Sequence, residues 1–185
     1  MVITEIYNKP TPEYIFDTAI EYDYAATSLL KGFGNNGIMA MNPILFNQAF
    51  ALELYLKCLI FLTNGKKAGK THELSKLYLL LDKIHQEQID SLFNKQIFIK
   101  RIKRSGVKLK SRWKETKFKG KPSLNYTIEE ILTFSNFSIM EHRYPFDYAS
   151  KRYYGIGYLS NAVLEYIIQL KPEWKSKAEP LKLVF

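Results

Sequence analysis

The sequence predicts an all-α protein: an up-and-down bundle of about five helices, with a basic inserted loop or small hairpin at about 100–121. Three observations predict it. Apolar residues return every three or four positions in several stretches, which is the spacing of one helix face. Clusters of Pro, Gly and Asn separate those stretches. Alternation of apolar and polar residues, the strand pattern, is partial and confined to VKLKSRWKETKFKG at 107–120. At 185 residues and 46% apolar, the chain is read as one domain over 1–185 with a real core.

Thr11-Pro12 is a helix start, with a hydroxyl cap followed by Pro in the first turn. Ile15, Ala19, Tyr22, Ala26, Leu29 and Leu30 then fall on one stripe, and Glu13, Asp17 and Glu21 form an acidic ridge. KGFGNNG at 31–37 is read as the stop. Asn42-Pro43 repeats the start signal, and fifteen of the nineteen residues from Ile44 to Leu62 are apolar. A helix apolar nearly all round is either central to a bundle or in a membrane. Glu53 and Lys57 favour the bundle, because charges midway along a span are costly in lipid. They stand at i, i+4 with the acid first, and as a rim ion pair would contribute ~0.3–0.5 kcal/mol.

TNGKKAGKTHEL at 63–74 is a loop, with Thr71 as the cap of the next helix and His72 in its first turn. Leu74, Leu77, Tyr78, Leu81 and Ile84 mark that helix face, and Leu92, Ile97 and Ile99 mark a further helical piece after Gln88. Thr127 opens another helix with Glu130 at the capping-box position, and Ile128, Ile131, Leu132 and Ile139 form its face. Pro145 ends it. The last helix follows Gly157, with a stripe of Leu159, Ala162, Val163, Tyr166, Ile167 and Leu170. Pro172 stops it, and an irregular tail is anchored by Trp174 or Phe185.

Charge is the strongest functional signal. The chain carries +9, yet residues 100–121 hold eleven Lys or Arg and one acid, Glu115. The other residues then have 16 basic and 17 acidic side chains (27 − 11 and 18 − 1), so one segment carries the whole excess. Lys100, Arg101, Lys103, Arg104, Lys108, Lys110, Arg112, Lys114, Lys117, Lys119 and Lys121 are interleaved with Trp113 and Phe118. Cations meet phosphates and rings stack on bases, so the pattern suits single-stranded nucleic acid without sequence readout. A solvated loop, an acidic protein surface or anionic lipid fits the same charges.

Other chemistry finds little support. Cys58, among Leu56, Leu59 and Ile60, reads as a small buried hydrophobe, and a single cysteine fits a reducing compartment. The N-terminal residues show no basic start followed by an apolar run, so a cytoplasmic location and no membrane span are expected. His72, His85 and His142 lack metal-ligand spacing, so neither a metal site nor a cofactor is expected, and His85 reads as a surface residue. EHRYPFDYASKRYY at 141–154 gathers His142, Arg143, Tyr148, Glu141 and Asp147 at a helix end. Arg143 there needs a phosphate or a carboxylate, for which Glu53, Glu141 and Asp147 are the candidates. It either staples two helices or lines a cleft with His142 and Tyr148.

The segment FALELYLKCLIFLTNGKKAGKTHELSKLYLLL at 50–81 resembles the core of HEPN domains, small helical bundles of prokaryotic toxins and defence proteins. Glu53 and Lys57 on an apolar helix, the Gly/Lys loop, the Thr71-His72-x-Leu74 start and the Arg143-Tyr144-Pro145 turn carry the resemblance, over roughly 12–170. It implies a homodimer, and in catalytic members a metal-independent ribonuclease built on an Arg followed, four to six residues on, by a His. Arg143 matches that Arg, but Tyr148 stands where the His belongs, and no His follows His142. Phenol, with an ordinary pKa of about 10, is a poor base at neutral pH. The resemblance thus implies RNA or nucleotide binding without ribonuclease activity, in a toxin–antitoxin or antiviral setting. The alternatives are a module that docks a nearby-encoded partner, such as a nucleotidyltransferase or antitoxin, and a divergent ribonuclease using Arg143 with Tyr148 or His142.

Overall fold

The computed structural model describes residues 10–36, 41–105, 127–136 and 155–182. In order come α1 (Pro12–Asn36), α2 (Met41–Asn64), α3 (Leu74–Leu79), α4 (Lys83–Ser105), α5 (Ile128–Ser135) and α6 (Ile156–Leu170). A 3-10 turn (Pro172–Ala178) and α7 (Glu179–Lys182) follow. Among the described residues there is no strand, and the all-α helical bundle is confirmed. The region 107–120, Ile139, Pro145 and Phe185 lie outside the described residues.

The helix starts are built as capping chemistry requires. Thr11 Oγ1 accepts from the Tyr14 amide at 3.1 Å. Thr127 and Glu130 close a reciprocal capping box, the Thr127 amide donating to Glu130 Oε2 at 2.8 Å. Lys83 opens a single continuous α4, where the apolar pattern marks a start only after Gln88. The basic segment is in part helical too, since α4 runs through residues 100–105.

α2 is the centre. α1, α3 and α6 pack around it, and α6 also packs on α4. α1 and α2 run antiparallel: the Cys58 thiol, late in α2, donates to the Pro12 carbonyl at 3.3 Å, and Phe50, earlier in α2, meets Tyr22 ring to ring at 4.6 Å. By length and apolarity, Asn42–Asn64 would suffice to cross a membrane, but 56% of that window is buried inside the bundle. Burial pushes the Cys58 thiol up to about 12, so it is inert, as its apolar neighbours suggest.

α1 ends within KGFGNNG, as the sequence suggests, running through Gly32 and Gly34 to Asn36. Its core face is Phe16, Ala19, Asp23, Ala26 and Thr27, while Leu30 is 47% exposed. Ile15, Ala19, Tyr22 and Ala26 of the expected stripe do face the core, and Asp23 and Thr27 join them because their polar groups have partners: Tyr55 Oη donates to Asp23 Oδ2 at 3.2 Å, and Thr27 Oγ1 donates to the Asp23 carbonyl at 2.8 Å. The tail is not irregular. Its 3-10 turn brings Trp174 to 4.9 Å from the Phe16 ring, and Lys177 Nζ grips Glu13 and Asp17 at 2.6 and 2.9 Å. The acidic ridge is therefore where the tail docks.

Ile84 is likewise exposed rather than core, because the chain turns between α3 and α4. α6 begins at Ile156, one residue before Gly157, with Gly155 as its cap in a left-handed conformation at φ +92°. A Cβ on Gly155 would come within 2.7 Å of Ile131 Cδ1. Gly155→Ala is expected to cost about 1–3 kcal/mol through strain at positive φ, read by chemical denaturation.

Burial raises the Asp23 carboxyl from 3.8 to about 6, against the opposing hydrogen bond from Tyr55. The folded state thus prefers the protonated acid. That stability is fully present below pH 3.8 and is lost as pH rises through about 6. At one pKa unit per about 1.4 kcal/mol, the charged form costs on the order of 3 kcal/mol. Asp23→Asn is expected to raise the unfolding midpoint at neutral pH and to flatten the fall in stability across the weakly acidic range. An unchanged pH profile would refute this assignment.

Candidate functional site

Glu53 stands in the middle of the apolar helix α2 and is only 1% exposed. A buried carboxylate must be paired and hydrogen-bonded. Two groups meet that need. Lys57 Nζ, one turn on, lies 2.7 Å from Glu53 Oε1. His72 Nδ1 lies 3.0 Å from Oε1 and 3.2 Å from Oε2. The pair is therefore no rim contact: Lys57 is 18% exposed, and Glu53 also receives a ligand from a residue 19 positions away.

His72 is not in the first turn of α3. That helix begins at Leu74, and Thr71 does not cap it; the Thr71 hydroxyl instead accepts from the Glu73 amide at 3.2 Å, a local turn. Leu74 and Leu77 are fully buried, so α3 is positioned by its apolar face, which leaves His72 in the extended residues ahead of it. The carboxylate only accepts. It fixes the proton on Nδ1, so Nε2 belongs to the other side of a ring that is 61% exposed. The same loop carries Lys66, Lys67 and Lys70, all exposed. Among the described residues these three make no ion pair, whereas Lys76 is taken by Glu73 at 2.7 Å.

A second concave feature, a cleft of about 540 Å³, lies between α3, α4 and α5. Phe93, Leu132 and Ile128 give it an apolar side, and Asp90 and Glu129 give it two carboxylates. Tyr78 Oη donates to Asp90 at 3.1 Å and to the Gln86 carbonyl at 3.2 Å; burial first, and Asp90 second, raise its pKa. Carboxylates repel phosphate, so this cleft is unsuited to a polyanion. Nearby, His85 is half-buried with Nδ1 2.7 Å from Tyr166 Oη, which corrects its reading as a free surface residue.

Of the sequence-predicted site, Glu53 and Lys57 are brought together, with His72 added. Glu141, His142, Arg143, Asp147 and Tyr148 lie outside the described residues. So do Lys108, Lys110, Arg112, Trp113, Lys114, Lys117, Phe118, Lys119 and Lys121, while Lys100, Arg101, Lys103 and Arg104 are the final turns of α4. The contact of His72 with Glu53 was missed, because nothing local in the sequence joins positions 19 apart. The buried acid in an apolar helix was the available signal: it demands a further partner.

Comparison of the chain with protein-family models, curated proteins and solved structures finds no match.

Glu53→Gln removes the charge that Lys57 and His72 share, and is expected to destabilise by about 2 kcal/mol, below the usual cost of breaking a buried pair because both cations reach solvent. His72→Ala, with its ring largely exposed, is expected to cost under about 1 kcal/mol. Urea titrations giving the reverse order would contradict the central place of Glu53.

Proposed function

We propose that the chain is a HEPN-like helical bundle that binds RNA or a nucleotide without ribonuclease activity. The observation that carries the reading is the concentration of eleven cations in residues 100–121 of a chain otherwise near neutrality. Helical continuity supports it. On α4 the core-facing register passes through Ile89, Phe93 and Ile97, and the next positions of that register are Lys100, Lys103 and Arg104. By helical register, the apolar positions are thus followed by cationic ones toward the end of α4. The Glu, Lys and His on which the resemblance rests form one bonded cluster, which this reading places near the ligand. Tyr148 in place of the His argues for binding over cleavage. In this reading the bundle works as a homodimer in a prokaryotic defence or toxin–antitoxin setting.

A second reading, a module that docks a partner protein, is favoured by one observation: Leu79, Leu80 and Ile84 expose 71%, 49% and 63% of their surface at one turn.

If about five cations contact a single strand, log affinity falls with log salt at a slope near −3.5. Reversing the charge of Lys108, Lys110, Arg112 and Lys114 is expected to abolish the gel shift of a labelled RNA and to leave the unfolding midpoint unchanged. Retained, salt-insensitive binding would overturn the reading. Docking through the apolar turn survives that charge reversal, and intact labelled RNA after incubation supports binding without cleavage.

A further inference from the structure

We propose that His72 is a phosphate-contacting residue, positioned by buried Glu53 and fed by the uncompensated lysines of its loop. The inference rests on the reading above and names a second contact for the same ligand class. Its basis is an imbalance. Glu53 is neutralised by Lys57 alone, at 2.7 Å, yet His72 also lies on it at 3.0 Å. When the imidazole is protonated, two cations share one carboxylate. Nδ1–H then donates to Glu53, and Nε2–H becomes a second donor with an anion as its natural acceptor. The groups around it sharpen the preference. Lys66, Lys67 and Lys70 add three exposed charges from the same loop that make no ion pair among the described residues, and Glu73 is held by Lys76. No carboxylate beside His72 is left free to fill the role, among the described residues.

A buried carboxylate behind an exposed imidazole also fixes the ring before the ligand arrives. Preorganisation of that kind spares part of the cost of ordering a side chain on binding. Neutral His72 presents only a lone pair at Nε2, because Glu53 holds the other nitrogen's proton. A phosphate therefore gains its contact at Nε2 only from the ring form that carries both protons. Among the described residues Glu53 is the charged group bonded to the ring, Lys57 shares that carboxylate, and Lys66, Lys67, Lys70 and the Glu73–Lys76 pair are its neighbours along the chain.

The phosphate could come from an RNA strand or from a free nucleotide. The test follows the His72 imidazole by NMR in the full chain as inorganic pyrophosphate is added at about pH 6 and about pH 8. An Asp23→Asn background removes a buried carboxyl raised to about 6, which sits apart against Tyr55, and the His72 signal is told from those of His85 and His142 by its loss in His72→Ala. A saturable shift is expected, with affinity about fivefold to tenfold weaker at the higher pH. His72→Ala should lose that same factor and the pH dependence while its unfolding midpoint stays near that of the parent. An imidazole unmoved by millimolar pyrophosphate, or a His72→Ala chain with parental affinity and pH profile, overturns the proposal. Two further arms identify the source: anisotropy of a labelled oligouridine, and competition by ATP. Oligouridine binding with a silent His72 sinks this site and leaves the RNA reading standing. A responsive His72 with no oligouridine binding sinks the RNA reading and leaves the site, with the nucleotide as its ligand.

Discussion

The carboxylate of Glu53, set in the middle of an apolar helix at the centre of the bundle, constrains more of this fold than any other single group. Its burial would be prohibitive unpaired. Lys57 is within one turn and satisfies one oxygen, but a charged carboxylate has room for several donors. The rest must come from outside α2. The loop after α2 therefore has to return and place His72 against the helix it has just left. That return fixes where α3 starts, and α3 then buries Leu74 and Leu77 and packs on α2 and α5. A polar requirement at one position thus sets the path of a connection that has little apolar content of its own.

Asp23 and Tyr55 show the opposite solution to the same problem. No cation reaches Asp23 among the described residues, and the carboxyl instead accepts from the neutral Tyr55 phenol at 3.2 Å. The folded state copes by favouring the proton on the acid, which burial raises to about 6. Glu53 is held by charge and geometry; Asp23 is held by its protonation. Both sit on the α1–α2 pair, one at its mutual face and one turned toward α3's loop. A buried hydrogen bond at a single place in an antiparallel helix pair also opposes sliding, because a one-turn slip would strand the acid against apolar neighbours. The tail adds a third restraint, with Lys177 pinning the start of α1 and the pKa of its ammonium raised first by its bond to Glu13.

What the sequence made legible follows from how local the governing interaction is. Thr11-Pro12 and Thr127-x-x-Glu130 are readable because a cap is made by residues three apart. α2 is readable because its apolarity covers every face. The α1 face was readable through Ile15, Ala19, Tyr22 and Ala26, but not its two polar members, because polarity alone assigns Asp23 and Thr27 to solvent and only the fold brings Tyr55 to Asp23. Gly32 and Gly34 were read as a stop. At about 1 kcal/mol each, glycines weaken a helix without ending it at once, and α1 ends at Asn36 inside that stretch. The end of the tail was misread: the anchoring of Trp174 is visible as an isolated large ring, but the ordering of the turn around it depends on Phe16, far away in the chain. In the candidate site, Glu53 and Lys57 were legible at helical spacing, and His72 was not, being joined to them only by the fold.

The division of charge then separates structure from function. Carboxylates in this bundle are largely spent internally: Glu53 on Lys57 and His72, Glu13 and Asp17 on Lys177, Glu130 on its own helix start, Asp90 on Tyr78. Lysines on the α2–α3 loop have no such engagement among the described residues, and the largest basic run continues from α4. Burying or pairing the acids while leaving cations to solvent makes an outward field that is more positive than the composition alone implies. Glu53 already accounts for one nitrogen of the His72 ring, and the remaining nitrogen is the one its structural role leaves over. The placement makes sense if the outer edge of that ring meets an anion, since the carboxylate behind it then holds the donor at the angle the ligand requires.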